Sequence, residues 1–165
     1  IYDKGISVGS MSKVFSLSGL RTGWIVSHAP EIKTLCHHHR DYSVITCGVV
    51  HDILSGIALQ HADKLLERNR KIVQTNCKIL EDWVATHPEL TMFKPHAGTT
   101  AMVYFDLPVD GWRFCQTLID DYETLVTPGE CFETPNSIRV GYACSEKELR
   151  DGLAQVDKYL ATFQK

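Results

Sequence analysis

The chain has no apolar run approaching the roughly 18 residues needed to cross a bilayer, and its N-terminus lacks the basic and apolar segments of a signal peptide. It has no sustained basic run, and its formal net charge is −3, so neither nucleic acid nor a membrane surface is expected as a partner. Repeats and low-complexity segments are also missing. These absences favour a globular protein that acts on small soluble ligands.

The cysteines lack the spacings that mark a disulfide scaffold or a zinc site. Six of them stand at 36, 47, 77, 115, 131 and 144, never as CxxC. Free thiols are therefore expected, in a reducing compartment. The sequence predicts a cytoplasmic protein.

Length and composition limit the number of domains. A chain of 165 residues that is 44% hydrophobic and 22% charged can bury one ordinary core. It begins with IYDKGISVG, without an initiator methionine and almost directly with an apolar strand. This opening favours the interpretation that the sequence is an incomplete fragment.

The first half of the chain predicts two strands and then helices. Residues 5–9 and 22–27 are rich in β-branched and aromatic residues and flank a polar loop. Pro30 is well placed to begin a helix that runs to about Arg40, and a second apolar stretch follows over 48–59. Apolar pairs then recur at helical spacing over 63–86, which predicts one long amphipathic helix connecting two structural units.

After His87 and Pro88 the pattern alternates between strands and helices. Strands are predicted at 90–93, 99–107, 124–127 and 137–143, and a helix at 111–122. The last helix begins at Ser145, which forms a capping box with Glu148. Its buried stripe is predicted to contain Leu149, Leu153, Val156, Leu160 and Phe163. The fold class is therefore α/β.

The loop between the first two strands, VGSMSKVFSLSGLRTGW at 8–24, concentrates chemistry around one amine. An amine that forms an imine with an aldehyde needs a site that lowers its pKa, and Lys13 is the candidate. The hydroxyls of Ser10 and Ser12 and the guanidinium of Arg21 are donors suited to a phosphate. The alternative from composition alone is an ordinary solvated loop, since Ser, Gly and Lys are common loop residues.

A second candidate residue lies in SIRVGYA at 137–143. Strand alternation places Ser137, Arg139 and Gly141 on one face and apolar residues on the other. An arginine between two small residues can receive a planar carboxylate with two hydrogen bonds. The alternative is a surface arginine on an edge strand that serves solubility.

The run CHHHR at 36–40 resembles a set of metal ligands only in composition. Successive helical residues point about 100° apart, and helical ligand pairs prefer the i, i+4 spacing. A solvated or interface face is favoured, and no metal is expected.

The segment SMSKVFSLSGLRTGW closely resembles the cofactor-lysine signature of fold type I pyridoxal-phosphate enzymes, in particular class I and II aminotransferases. Three later segments resemble further landmarks of that family in the expected order: RDYSVIT at 40–46, VTPGECF at 126–132 and SIRVGYA at 137–143. The resemblance spans the whole chain. It implies the PLP-dependent transferase fold, with residues 1–70 ending the large cofactor domain and 71–165 forming the small C-terminal α/β domain.

The resemblance also implies roles for residues. Lys13 matches the lysine that binds the cofactor aldehyde and moves the substrate proton, while Ser10, Ser12 and Arg21 match the positions that hold the phosphate of pyridoxal 5'-phosphate. Arg139 matches the arginine that binds the substrate α-carboxylate. The implied reaction moves an amino group between an amino acid and a 2-oxo acid, in a homodimer.

Other functions are consistent with the same residues. Lyases, decarboxylating acyltransferases and racemases of this fold share the lysine signature. In the family, the aspartate at the pyridine nitrogen, the ring stacked on the cofactor and a glycine-rich loop precede the lysine, and none appears in this sequence. The isolated chain is therefore expected to be inactive, and a non-catalytic interaction module is the remaining alternative.

Overall fold

The computed structural model describes residues 2–163. Contacts between residues divide the chain into two compact units, Ile1–Asn69 and Arg70–Lys165. We refer to them as the first and second units. The division falls inside one continuous helix, Ala62–Ala85.

The first unit contains a two-stranded antiparallel sheet and helices. Its elements in chain order are β1 (Ile6–Ser10), β2 (Gly23–Ser27), α1 (Pro30–Ser43), α2 (Val49–Gln60) and the start of α3 (Ala62–Ala85). The predicted strands are confirmed, and α1 begins at Pro30 as predicted, because the fixed φ of proline suits the first helical position. It continues beyond the predicted end at Arg40 to Ser43.

Burial in the first unit is sparse. Within residues 2–69, only Met11, Ser55 and Ala58 are buried. Several apolar side chains of α2, including Val49, are more than half exposed. The first unit as described therefore has little core of its own.

The second unit is built on a four-stranded antiparallel sheet in the order β3-β4-β6-β5. The strands are β3 (Leu90–Met92), β4 (Thr100–Phe105), β5 (Thr127–Pro128) and β6 (Ser137–Gly141). The helices α4 (Gly111–Tyr122) and α5 (Glu146–Leu160) accompany it. The predicted helix at 111–122 is confirmed without change.

The core of the second unit lies on one face of this sheet. Alternate residues of β4 are buried, as expected for a sheet with one covered face. They join a cluster with side chains of α3, α4 and α5, whose most buried members are Leu80, Phe114, Leu118 and Val103. The predicted capping box of α5 is confirmed, with the Glu148 amide donating to Ser145 Oγ at 3.2 Å.

The predicted strand at 124–127 is wrong over most of its length. Glu123 adopts the left-handed conformation and the Thr124 amide donates to the Leu118 carbonyl at 2.9 Å, so the chain is still closing α4 at this point. Leu125 is 81% exposed. Pairing with β6 therefore begins only at Thr127.

Candidate functional site

The lysine loop, residues 11–22, is closed at its base by strand pairing. Ser10 is the last residue of β1 and pairs with Gly23, the first residue of β2. The Met11 amide donates to the Thr22 carbonyl at 3.0 Å, and the Leu17 amide donates to the Met11 carbonyl at 3.0 Å. Because the Met11 side chain is fully buried, it anchors the loop between Ser10 and Ser12.

The close approach of β1 and β2 explains the glycine at position 23, at the base of the lysine loop. A Cβ at Gly23 would lie 2.7 Å from the Gly9 carbonyl oxygen and 3.4 Å from the Ser10 Cβ, so a side chain there would push β1 away. Gly19 has no atom within 4 Å of its Cβ position, and its backbone does not require glycine. Close approach of the backbone therefore explains the glycine at position 23 and not the glycine at position 19.

Two of the candidate anion-binding residues are in direct contact. The Ser12 amide donates to Ser10 Oγ at 3.2 Å, which fixes the Ser10 hydroxyl beside the start of the loop. Lys13 follows immediately, and its side chain is exposed. The Ser16 amide donates to the Lys13 carbonyl at 3.0 Å, so the backbone turns directly after the lysine.

Arg21 lies in the same loop in a conformation that favours glycine. Its φ is 51°, in the left-handed region, at the end of a short 3₁₀ turn over Ser18–Leu20. Its guanidinium Nη1 donates to the Ser18 carbonyl at 2.8 Å. Among the residues described, Arg21 donates to Ser18 and to neither Ser10 nor Ser12.

Arg139 belongs to the second unit and lies in the interior of its sheet. It is on β6, where it pairs with Met102 of β4 on one side and Thr127 of β5 on the other. The alternative that placed this arginine on an edge strand is therefore wrong. The predicted alternation holds for the apolar face, since Ile138, Val140 and Tyr142 are buried.

The sequence predicted that Arg139 lies between two small, open residues, Ser137 and Gly141, on the same face of the strand. This is wrong for Ser137. Ser137 is fully buried, and its hydroxyl donates to the Thr134 carbonyl at 2.7 Å. Arg139 instead contacts two residues that sequence reasoning did not select. Its Nη2 donates to Thr127 Oγ1 at 3.3 Å, and its Cζ stands 4.5 Å from the centre of the Phe132 ring.

A signal for these two residues was present in the sequence. Both lie in VTPGECF at 126–132, which was noted only as a landmark. A two-residue strand ending in Pro128, followed by the 3₁₀ turn Gly129–Phe132, returns the Phe132 side chain toward the strand that carries Arg139. The turn cannot be derived from strand periodicity alone.

The histidines at 37, 38 and 39 lie exposed on α1. Over residues 2–163, no group of three or more His, Cys, Asp or Glu side chains is arranged to hold a metal ion. In the same range, no helix combines the length and apolar character needed to cross a membrane.

Comparison with known proteins identifies the class. Residues 2–156 match the family model of aminotransferase class I and II. This match covers nearly the whole chain, including the lysine loop and Arg139. The chain therefore belongs to the aminotransferase class I and II family.

Individual curated relatives match over almost the whole chain. The chain is 29% identical over 161 residues to a capreomycidine synthase of Streptomyces vinaceus, covering 97% of this chain and 41% of that protein. It is 25% identical over 169 residues to an aspartate aminotransferase of Streptomyces avermitilis, covering 96% of this chain and 41% of that protein. The chain thus spans about two fifths of the length of these curated relatives.

The fold is found in solved structures. A PLP-dependent aminotransferase from Streptococcus suis superposes with a TM-score of 0.94 at 34% sequence identity, covering 100% of this chain and 44% of that one. This chain is similar to one part of a larger enzyme, and the mixed α/β fold expected from the sequence is confirmed.

Proposed function

We propose that the protein carrying this chain is a pyridoxal-phosphate-dependent aminotransferase that moves an amino group between an amino acid and a 2-oxo acid. The observation that carries the proposal is the lysine loop. Strand pairing at Ser10 and Gly23 fixes a hydroxyl next to Lys13 in a chain of the aminotransferase family. Residues 1–70 would end the large cofactor domain, and 71–165 would form the small domain.

The chemistry of the loop fits this cofactor. Pyridoxal phosphate carries a phosphate and an aldehyde, and the loop offers hydroxyl and guanidinium donors beside a primary amine. Ser10, Ser12 and Arg21 would hold the phosphate. When bound, the cofactor ring withdraws electrons from the substrate carbon that loses a proton.

Lys13 has two proposed tasks. Its Nζ would hold the cofactor at its aldehyde group, and as a free amine it would accept the proton from the substrate α-carbon. Its exposure in this chain leaves the amine accessible to both partners. Arg139 is proposed to bind the substrate α-carboxylate, since its guanidinium is oriented by Thr127 and Phe132.

The test is amino transfer by the complete protein that contains this chain. With added pyridoxal phosphate, each L-amino acid is mixed with 2-oxoglutarate and the formation of glutamate is measured. Lys13→Ala is expected to abolish transfer and the absorbance band of bound cofactor. Lys33→Ala, which removes an exposed lysine of α1, is the matched control and should retain both. Absence of transfer with every amino acid would contradict the proposal.

A second candidate is another reaction of the same cofactor. It is supported by the 29% identity to a capreomycidine synthase, which exceeds the 25% identity to the aspartate aminotransferase. The 34% identity to the solved Streptococcus suis aminotransferase supports amino transfer instead. Product analysis separates the two, because only an aminotransferase passes the amino group to an added 2-oxo acid. A lyase, a decarboxylating acyltransferase or a racemase would consume the amino acid without this acceptor.

The assembly and the compartment are proposed to be a cytoplasmic homodimer. The exposed apolar side chains of α2 support a surface that is covered in the complete protein, by the rest of its chain or by a second copy. Light scattering of the complete protein tests the assembly, and a monomer at micromolar concentration would contradict it. Fractionation of the producing cells tests the compartment.

A further inference from the structure

We propose that Phe132 is a positioning residue for Arg139. Its ring supports the guanidinium, so that the N–H donors of Arg139 that are not bonded to Thr127 face the substrate carboxylate. The proposal rests on the proposed function and adds a determinant of carboxylate affinity that the lysine signature does not contain. Phe132 is assigned no contact with the reacting atoms.

The contact has the geometry of a cation–π interaction. The Arg139 Cζ lies 4.5 Å from the centre of the Phe132 ring, within the roughly 6 Å over which such pairs attract. The ring therefore contacts the guanidinium on one side. The hydrogen bond from Nη2 to Thr127 Oγ1, at 3.3 Å, attaches the same group at a second point.

The charge of Arg139 has no carboxylate partner within the described part of the chain. All ion pairs found in residues 2–163 involve other cations. Arg139 has five N–H donors, and the structure assigns one of them to Thr127. A half-buried arginine that is held by a ring and a hydroxyl retains donors for an incoming carboxylate.

Phe132 is fixed by its backbone and does not belong to the core. The residue is 43% exposed, and it lies outside the hydrophobic cluster of the second unit. The turn that carries it is attached at two points. The Gly111 amide donates to Glu130 Oε1 at 2.9 Å, and the Thr134 amide donates to the Gly129 carbonyl at 3.0 Å. The turn therefore holds the exposed ring of Phe132 against the guanidinium of Arg139.

The test compares an amino acid with the primary amine that has the same side chain but no carboxylate. Both are reacted with the complete protein loaded with pyridoxal phosphate, using the amino acid found most reactive in the transfer assay. Phe132→Leu should raise KM for the amino acid roughly threefold to thirtyfold, while kcat changes little. The reaction with the amine should be unchanged, because it does not use Arg139.

Matched substitutions separate the ring from its volume. Phe132→Tyr keeps the π face and should restore the KM of the unmodified protein. A ring-fluorinated phenylalanine at position 132 keeps the shape but weakens the π face, so it should raise KM even if Phe132→Leu fails to fold. Leu125→Ala, at another exposed apolar residue of this unit, should leave KM unchanged.

The outcomes distinguish this proposal from the proposed function. If the unmodified protein transfers no amino group, the function is wrong. If it transfers normally and the fluorinated ring leaves KM unchanged, the positioning role is wrong. An equal loss with the amino acid and the amine would likewise overturn it, because this pattern reports general damage to the site.

Discussion

Gly129 lies directly against Ser137, the first residue of β6. A Cβ at position 129 would stand 1.9 Å from Ser137 Oγ and 2.2 Å from the Thr134 carbonyl oxygen. The second of these atoms belongs to the backbone, so a rotamer change at Ser137 cannot relieve the overlap. This packing attaches the turn that carries Phe132 to the strand that carries Arg139.

Gly129→Ala is therefore expected to lower the free energy of unfolding by about 1–3 kcal/mol, the usual range for overpacking. Urea denaturation measures it. Gly152→Ala is the matched control, because its Cβ position meets only Thr124 Cγ2 at 3.9 Å and it lies in α5. Alanine there should stabilise by about 0.5–1 kcal/mol. Equal effects of the two substitutions would contradict the packing argument.

Gly19 in the lysine loop and Gly23 at its base form a second pair of glycines. Gly23→Ala would bring a Cβ within 2.7 Å of the Gly9 carbonyl oxygen and displace Ser10, whereas Gly19→Ala meets nothing within 4 Å. We expect Gly23→Ala to weaken pyridoxal phosphate binding to the complete protein about tenfold or more, the loss expected for one charge-assisted hydrogen bond. Gly19→Ala should bind normally. Titration of the cofactor absorbance measures both, and similar affinities would show that the strand approach does not position Ser10.

Asn76 on α3 fixes the chain beyond β6. It is 1% exposed, and its Nδ2 donates to the carbonyls of Tyr142 and Cys144, both at 2.9 Å. Asn76→Ala should destabilise the protein by about 2 kcal/mol or more, because it leaves buried acceptors unpaired. Asn76→Leu should not restore stability, since it fills space without supplying a donor. Gln74→Ala, at an exposed position of the same helix, should be nearly neutral, and a comparable loss there would contradict this account.

Much of the fold follows from local patterns in the sequence. The long helix, the helix at 111–122 and the capping box of Ser145 and Glu148 were predicted because side-chain period and end signals act over a few residues. The strand at 124–127 failed because a left-handed residue, Glu123, extends the closure of the preceding helix. Any residue can occupy that conformation at a cost, so its identity gives no signal.

The residues of the candidate site also fall into two groups, those that local sequence predicts and those that depend on the folded chain. The sequence was enough to select Ser10, Ser12 and Lys13, because two hydroxyls and an amine lie within four positions of each other. Phe132 stood out only as part of VTPGECF at 126–132, since its contact with Arg139 depends on a turn and a strand pair. The bonding of Arg21 to Ser18 was likewise inaccessible to sequence reasoning, because it depends on a positive φ.

The capping box should be visible in an acid titration. The pKa of Glu148 lies below its ordinary value because the Ser145 hydroxyl, and then the Ser145 amide, donate to its carboxylate. The stability from this bond is present above pH 4.5 and is lost as the pH falls through the lowered pKa. Ser145→Ala should raise the pKa of Glu148, as measured by carbon-13 NMR. Ser145→Thr keeps the hydroxyl and should leave it low, so a raised value in both variants would contradict the assignment.

The buried thiol of Cys115 makes the stability of the protein depend on pH in the alkaline range. Its side chain is 3% exposed, and burial, assisted by the charges of Glu130 and Cys131, raises its pKa from 9.0 to about 12. Between these values the unfolded thiol is deprotonated while the folded thiol keeps its proton, so unfolding releases a proton and stability falls as the pH rises.

Cys115→Ala removes this titration. From neutral pH to about pH 10.5, the unmodified protein should therefore lose about 2 kcal/mol more stability than Cys115→Ala, on top of the loss that other groups cause in both. Urea denaturation at the two pH values measures the difference. Cys47→Ala, at an exposed thiol, should follow the unmodified protein. Parallel losses in the unmodified protein and Cys115→Ala would mean that the thiol ionises as readily in the folded chain as in the unfolded one, and that water reaches the core between α4 and the sheet.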